Sequence, residues 1–228
     1  MNDTLTLDHG LFGQLRKDAK CDWHAYTHHP FVQALGAGSL AREKFQNFLI
    51  QDYLFLIQYA RAYALLAYKQ DNPADMQAAL DTALFLLNGE LKLHVKYCAS
   101  WGIDEARMAA APESLELLAY TRFVLECGQS GDALDLLVAL APCIVGYAEI
   151  GADLAMKSHP GNPYQDWINT YTGPDYLASV NQAIRGIDAL GHRKGAAARY
   201  ATLLKIFRTA TQLEAAFWNT GWHYLQST

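Results

Sequence analysis

Positive charge is scarce in this 228-residue chain and nowhere concentrated. Lys and Arg total 18 against 23 Asp and Glu, a formal net charge of -5, and the densest basic stretch, GHRKGAAAR, reads as an inter-helix loop. Phosphate contacts need a basic face, so no nucleic-acid partner is expected. Cysteine is sparse too: Cys21, Cys98, Cys127 and Cys143 form no CxxC pair and no metal-like spacing. That argues against a zinc knot or a paired redox motif and for free thiols in a reducing compartment. Met1 to Gly10 lacks a basic segment followed by an apolar one, so no signal peptide is expected and the cytoplasm is the expected location. The longest nearly uncharged apolar run, Leu136 to Ala148, is shorter than the roughly 20 residues of a membrane span, so no membrane association is expected. HExxH, a GxGxxG opening a strand–helix unit and GxxxxGK[ST] are all missing, which leaves no basis for Rossmann or P-loop chemistry.

What is present is apolar and helical. Hydrophobic residues make up 51% and charged ones 18%, ample for a core. The periodicity predicts helices near 8–28, 40–69, 73–101, 112–127, 132–157, 163–171, 174–190 and 195–226, in one all-α domain spanning 1–228. Ser39 is a suitable N-cap after Gly36 and Gly38, and Asn72-Pro73, Ala111-Pro112, Asn162-Pro163 and Gly173-Pro174 place proline where a first turn begins.

Polar groups on the apolar stripes are the informative ones. One stripe runs Phe45, Phe48, Asp52, Phe55, Tyr59, Ala62, Leu66; another runs Tyr200, Leu203, Phe207, Ala210, Glu214, Phe217, Gly221, Leu225. A third aligns Met76, Leu80, Leu84, Leu87, Leu91, His94 and Cys98, and a fourth Leu136, Leu140, Cys143, Tyr147, Ile150 and Leu154. A carboxylate facing a helical core is costly unless bonded or paired. One such acid commonly ties helices together. Two, with a thiol and a phenol on a further stripe, read as the lining of a polar pocket. The 13 tyrosines and 5 tryptophans suit a flat, polar, aromatic ligand, because tyrosine joins a stacking face to a hydrogen-bonding tip.

Other motifs are weaker. The histidines of THHP, Thr27 to Pro30, are adjacent and cannot share a helical face, which favours helix-end solvation over metal. Glu90 and His94 are four apart and could share a metal, but the chain has no Glu-x-x-His of the three-apart kind that di-iron bundles use, so no metal or cofactor is expected.

FLIQDYLFL (Phe48 to Leu56), LAPCIVGYAEIG (Leu140 to Gly151), WINTYTGPDY (Trp167 to Tyr176) and LEAAFWNTGW (Leu213 to Trp222) resemble the TenA/thiaminase II family, in that order and across essentially the whole chain. The resemblance implies a haem-oxygenase-like helical bundle, a homotetramer and no metal. It also implies hydrolysis of aminopyrimidines, releasing 4-amino-5-hydroxymethyl-2-methylpyrimidine from thiamin or its breakdown products for thiamin salvage. By position, Cys143 resembles the family nucleophile, which places the chain in the cysteine-containing branch, and Glu214 resembles its acid/base. Asp52 resembles the carboxylate that grips the amino edge, and Tyr120, Tyr147 and Tyr171 match pocket tyrosines. Phe55 stands where a tyrosine is common, keeping the aromatic face without the hydroxyl. Two alternatives stay open from the residues: a metal-dependent oxidase of the same fold using Glu90 and His94, and a pyrimidine-binding protein without turnover. Pro142 removes one helical hydrogen bond beside Cys143, to the Val138 carbonyl, and should bend that helix.

Overall fold

The computed structural model describes residues 5–224, and among these every regular element is helical. Helices α1 (Gly10–Asp18), α2 (Lys20–Thr27) and α3 (Pro30–Gly36) precede the long α4 (Arg42–Tyr68). Helix α5 (Pro73–Phe85) passes through a π turn (Leu86–Glu90) into α6 (Leu91–Ala99), followed by α7 (Glu105–Ala109) and α8 (Leu115–Ser130). Then come α9 (Ala133–Lys157), α10 (Gln165–Thr172), α11 (Pro174–Arg193), a 3-10 turn (Ala196–Arg199), α12 (Tyr200–Phe217) and α13 (Asn219–Trp222).

Some helix starts follow cap chemistry. The Asn72 side chain accepts from Asp75 N at 2.9 Å ahead of Pro73, and Ser114 Oγ accepts from Leu117 N at 3.1 Å. In THHP, His29 Nδ1 accepts from Phe31 N at 3.2 Å and Pro30 opens α3, a helix the periodicity did not predict. Helix α7 was not predicted either; at five residues it is too short to show a period. Ser39 is not a cap. Helix α4 follows Ala41, and Ser39 Oγ donates back to the Ala34 carbonyl at 3.4 Å. Pro112 does not open a helix: α8 starts at Leu115 behind Ser114, and the Pro112 carbonyl accepts from Gln51 Nε2 at 3.0 Å while Gln51 Oε1 accepts from Ser114 N at 2.9 Å. The predicted 8–28 helix is two, broken at Ala19, and the predicted 195–226 helix ends at Phe217 before restarting at Asn219. Leu225, at the end of the predicted stripe, lies outside the described residues.

Contacts divide the chain into two compact units. One comprises residues 5–40 together with Leu137–Trp218; the other comprises Ala41–Leu136 together with residues 219–224. In the first, Trp23 stacks on Phe207 with centroids 5.6 Å apart and meets Phe12 edge-on at 5.9 Å. Glu149 accepts from Arg16 Nε, Arg16 Nη2 and Trp23 Nε1, each at 3.0 Å, so this carboxylate ties α9 to α1 and α2. Helix α9 is long and apolar enough to cross a membrane by length and composition, but 72% of its most apolar window is buried within the protein, as in a core helix.

In the second unit the α4 stripe is as predicted: Phe45, Phe48, Asp52, Phe55, Tyr59, Ala62 and Leu66 are all buried. The α5–α6 stripe is not. Met76, Leu80, Leu84 and Leu87 are exposed, whereas Ala79, Ala83 and Leu86 are buried with His94 and Cys98. The π turn is the reason. Its wider turn takes up one residue and shifts the buried side by one position between α5 and α6.

Candidate active site

Each unit carries part of the predicted site. In the second, Asp52 and Phe55 lie on α4 one turn apart, both 3% exposed. Phe55 stacks on Tyr59 at 5.1 Å and 27°, and on Tyr120 of α8 at 5.1 Å and 24°. The Phe55 ring is thus held in an aromatic stack. Asp52 Oδ2 lies 2.6 Å from His94 Nε2, and His94 Nδ1 lies 2.9 Å from the Glu90 carbonyl. A carbonyl only accepts, so Nδ1 carries a hydrogen. Burial lowers the His94 pKa. The Asp52 hydrogen bond and charge, joined by the Glu90 charge and carbonyl, outweigh burial and raise the pKa above the usual histidine range.

In the first unit, α9 presents Cys143, half-buried, and one turn later Tyr147, which is buried. Tyr147 is the hub of an aromatic cluster: Tyr171 at 5.0 Å, Trp218 at 5.4 Å and Trp167 at 6.0 Å. Tyr171 also packs on Trp167 at 4.7 Å and on Tyr176 at 5.2 Å, and the Tyr176 hydroxyl donates to the Ile144 carbonyl at 3.0 Å, beside Cys143. Glycines in the cysteine motif permit this packing. A Cβ on Gly146 would sit 2.2 Å from Tyr26 Cε1, and one on Gly151 would sit 2.9 Å from Tyr171 Cβ. Glu214 is 1% exposed on α12, one turn before Trp218.

The other thiols differ from Cys143. Cys98 and Cys127 are buried, and burial pushes both up to about 11, with the Asp135 and Glu126 charges adding to the effect at Cys127. Cys21 is exposed. The two neighbouring histidines of THHP separate as expected: His28 stays by Thr27 Oγ1 at 2.9 Å, with its ring stacked on His24, while His29 caps α3. His94, not among the predicted site residues, contacts Asp52. Its place on an apolar stripe was the available signal; its partner, 42 residues away, was not legible. Both His94 ring nitrogens are engaged, by Asp52 and by the Glu90 carbonyl, so the ring that a Glu90–His94 metal pair would use is already occupied.

The chain matches the model of the TENA/THI-4/PQQC family over residues 16–224. It is 36% identical over 214 residues to an aminopyrimidine aminohydrolase of Halalkalibacterium halodurans, covering 92% of this chain and 94% of that protein. Among solved structures, a TenA family transcription regulator from Silicibacter sp. TM1040 is similar with a TM-score of 0.89 at 45% identity, covering 94% of this chain and 97% of that one. A Shewanella denitrificans domain with a heme oxygenase-like fold gives a TM-score of 0.71 at 12% identity over 92% and 91% of the two chains, a likeness of fold alone. The fold is thus the all-α, haem-oxygenase-like one.

Proposed function

The chain belongs to the TENA/THI-4/PQQC family, and we propose that it is a TenA-type hydrolase of thiamin salvage. Its substrates in this reading are 4-amino-2-methylpyrimidines substituted on the 5-methylene, and its product is 4-amino-5-hydroxymethyl-2-methylpyrimidine. One observation carries the reading. Of the four cysteines, Cys143 alone combines partial exposure with a place one turn from an aromatic hub, Tyr147, fit to stack a flat ring.

The roles follow from the chemistry. The Cys143 thiolate adds to a carbon of the pyrimidine ring while Glu214 gives a proton to a ring nitrogen, so the ring loses aromaticity without accumulating charge. Electrons then flow out to the 5-methylene, and the substituent leaves with its bonding pair. Water adds to the methylene and gives up a proton to the departed substituent or to solvent; Glu214 then takes its proton back from the ring nitrogen as the thiolate departs, and aromaticity returns. Asp52 accepts from the exocyclic amino group, and Phe55, Tyr120, Tyr147 and Tyr171 supply aromatic faces and hydroxyls.

The 228 residues form a single functional domain in this reading, at work in the cytoplasm as a homotetramer. Support for self-association comes from α5, where Met76 and Leu80 are 40% exposed, Leu84 55% and Phe85 56%. An apolar stripe of that kind on a helix is characteristic of a surface that another chain covers.

The test is direct. Incubation with the aminomethylpyrimidine, its formylated derivative and thiamin in turn, with hydroxymethylpyrimidine followed by chromatography, should show release from at least one. Binding of all three with release from none would favour a pyrimidine-binding protein and overturn the hydrolase.

A further inference from the structure

The Asp52–His94 contact pairs two buried ionisable side chains of the second unit, both no more than 4% exposed. Three features make it more than a packing contact. Its 2.6 Å separation is short for nitrogen and oxygen, at the strong end of charge-assisted hydrogen bonds. The ring is fixed from behind, because Nδ1–H donates to the Glu90 carbonyl at 2.9 Å. That carbonyl ends the π turn, the same feature that swings His94 to the buried side.

The proton count follows. With Nδ1–H spent on a carbonyl, a single proton lies between Nε2 and Oδ2. It sits either on the ring, giving imidazolium and carboxylate, or on the acid, giving neutral imidazole and carboxylic acid. Both arrangements are neutral overall. In both, Oδ2 is committed to His94 and Oδ1 is left as an acceptor; Asp52 makes no other hydrogen bond among the described residues. The charged groups acting on the ring are Asp52 from α4 and Glu90 from the π turn.

We propose that His94 is the positioning residue of Asp52: it ties Oδ2, neutralises the buried carboxyl and presents Oδ1 as a fixed acceptor that selects a 4-amino over a 4-oxo pyrimidine. This rests on the reading of Asp52 as the group that grips the amino edge. Selection arises because Oδ1 meets an N–H donor in the amino compound and a carbonyl acceptor in the oxo compound, and an acceptor facing an acceptor leaves both unpaired.

The test compares the wild type with His94→Leu, His94→Gln and Asp52→Asn, using hydroxymethylpyrimidine and its 4-oxo analogue as ligands in calorimetry. His94→Leu should weaken hydroxymethylpyrimidine binding by about 10–100-fold, the range for losing a hydrogen bond to a charged group. It should also narrow the preference for the amino over the oxo compound, with a much smaller change in kcat at saturation. His94→Gln can still donate to Oδ2 and should recover part of the affinity, which a loss of mere packing would not. In ¹⁵N-histidine spectra of the wild type at neutral pH, His94 should show Nδ1 protonated and Nε2 sharing its proton; Asp52→Asn should remove that sharing. Wild-type affinity and preference in His94→Leu, alongside a binding defect in Asp52→Asn, would overturn the positioning role while leaving the pyrimidine reading intact. Unchanged binding in Asp52→Asn would overturn both. Should His94→Leu not fold, His94→Gln and the wild-type spectrum decide: an unshared Nε2 lone pair, or a glutamine variant with unaltered preference, refutes the proposal.

Discussion

Gly146→Ala and Gly186→Ala should change stability in opposite directions, although both replace a glycine inside a helix. Alanine is the better helix former by about 1 kcal/mol, and at Gly186, on the exposed side of α11, an added Cβ meets nothing within 4 Å. That variant should gain about 1 kcal/mol. At Gly146 in α9 the Cβ would lie 2.2 Å from Tyr26 Cε1 and 2.7 Å from both Cζ and the hydroxyl oxygen. Tyr26 has nowhere to go: it is 0% exposed, edge-on to Trp23 at 5.8 Å and stacked on Trp218 at 6.2 Å. Overpacking of a close-packed core costs about 1–3 kcal/mol, and an approach this short belongs at the upper end. Set against the helix gain, the net loss should be about 1–2 kcal/mol. At about 2–4 °C per kcal/mol for a chain of this length, Gly146→Ala should melt about 2–8 °C lower and Gly186→Ala a few degrees higher. Thermal unfolding followed by circular dichroism gives both numbers. A Gly146→Ala protein as stable as the Gly186→Ala protein would refute the packing argument for the cysteine motif.

Alkylation at pH 8 followed by peptide mass spectrometry should modify Cys21 and Cys143 well before Cys98 and Cys127, whose thiols are pushed up to about 11 and so carry little thiolate. Equal labelling of all four would contradict it. Asp52→Asn should weaken binding and turnover together, whereas Glu214→Gln should lower kcat and leave product affinity largely intact, because its contribution arises in the transition state. Matching defects in the two variants would refute that division. Light scattering at micromolar concentration should give a tetramer for the wild type and a smaller species for Leu84→Glu combined with Phe85→Glu; a monomeric wild type removes the assembly proposal.

The α4 stripe was fully legible because one uninterrupted helix of 27 residues keeps its phase, so Asp52 and Phe55 were buried where the periodicity placed them. The α5–α6 stripe was misread because a π turn resets the phase, and no residue type announces that extra residue. Short helices such as α3 and α7 escape periodicity altogether, and only the proline at Pro30 hinted at the former. The carboxylate of the cysteine motif also illustrates the limit. Glu149 holds Arg16 and Trp23, partners more than 120 residues distant that its own stretch of sequence does not reveal. His94 was visible as a polar residue on an apolar face, but its role emerges only with Asp52 at 2.6 Å.

The central claim is that Cys143 acts as the nucleophile of an aminopyrimidine hydrolase, and turnover by Cys143→Ser tests it most directly. The serine hydroxyl keeps the volume but is a far poorer nucleophile at neutral pH, so kcat for hydroxymethylpyrimidine release should fall by about three orders of magnitude or more, a barrier increase of about 4 kcal/mol. Affinity for the product should persist, because the Tyr147 cluster is unchanged. Turnover within a few-fold of the wild type would contradict the account.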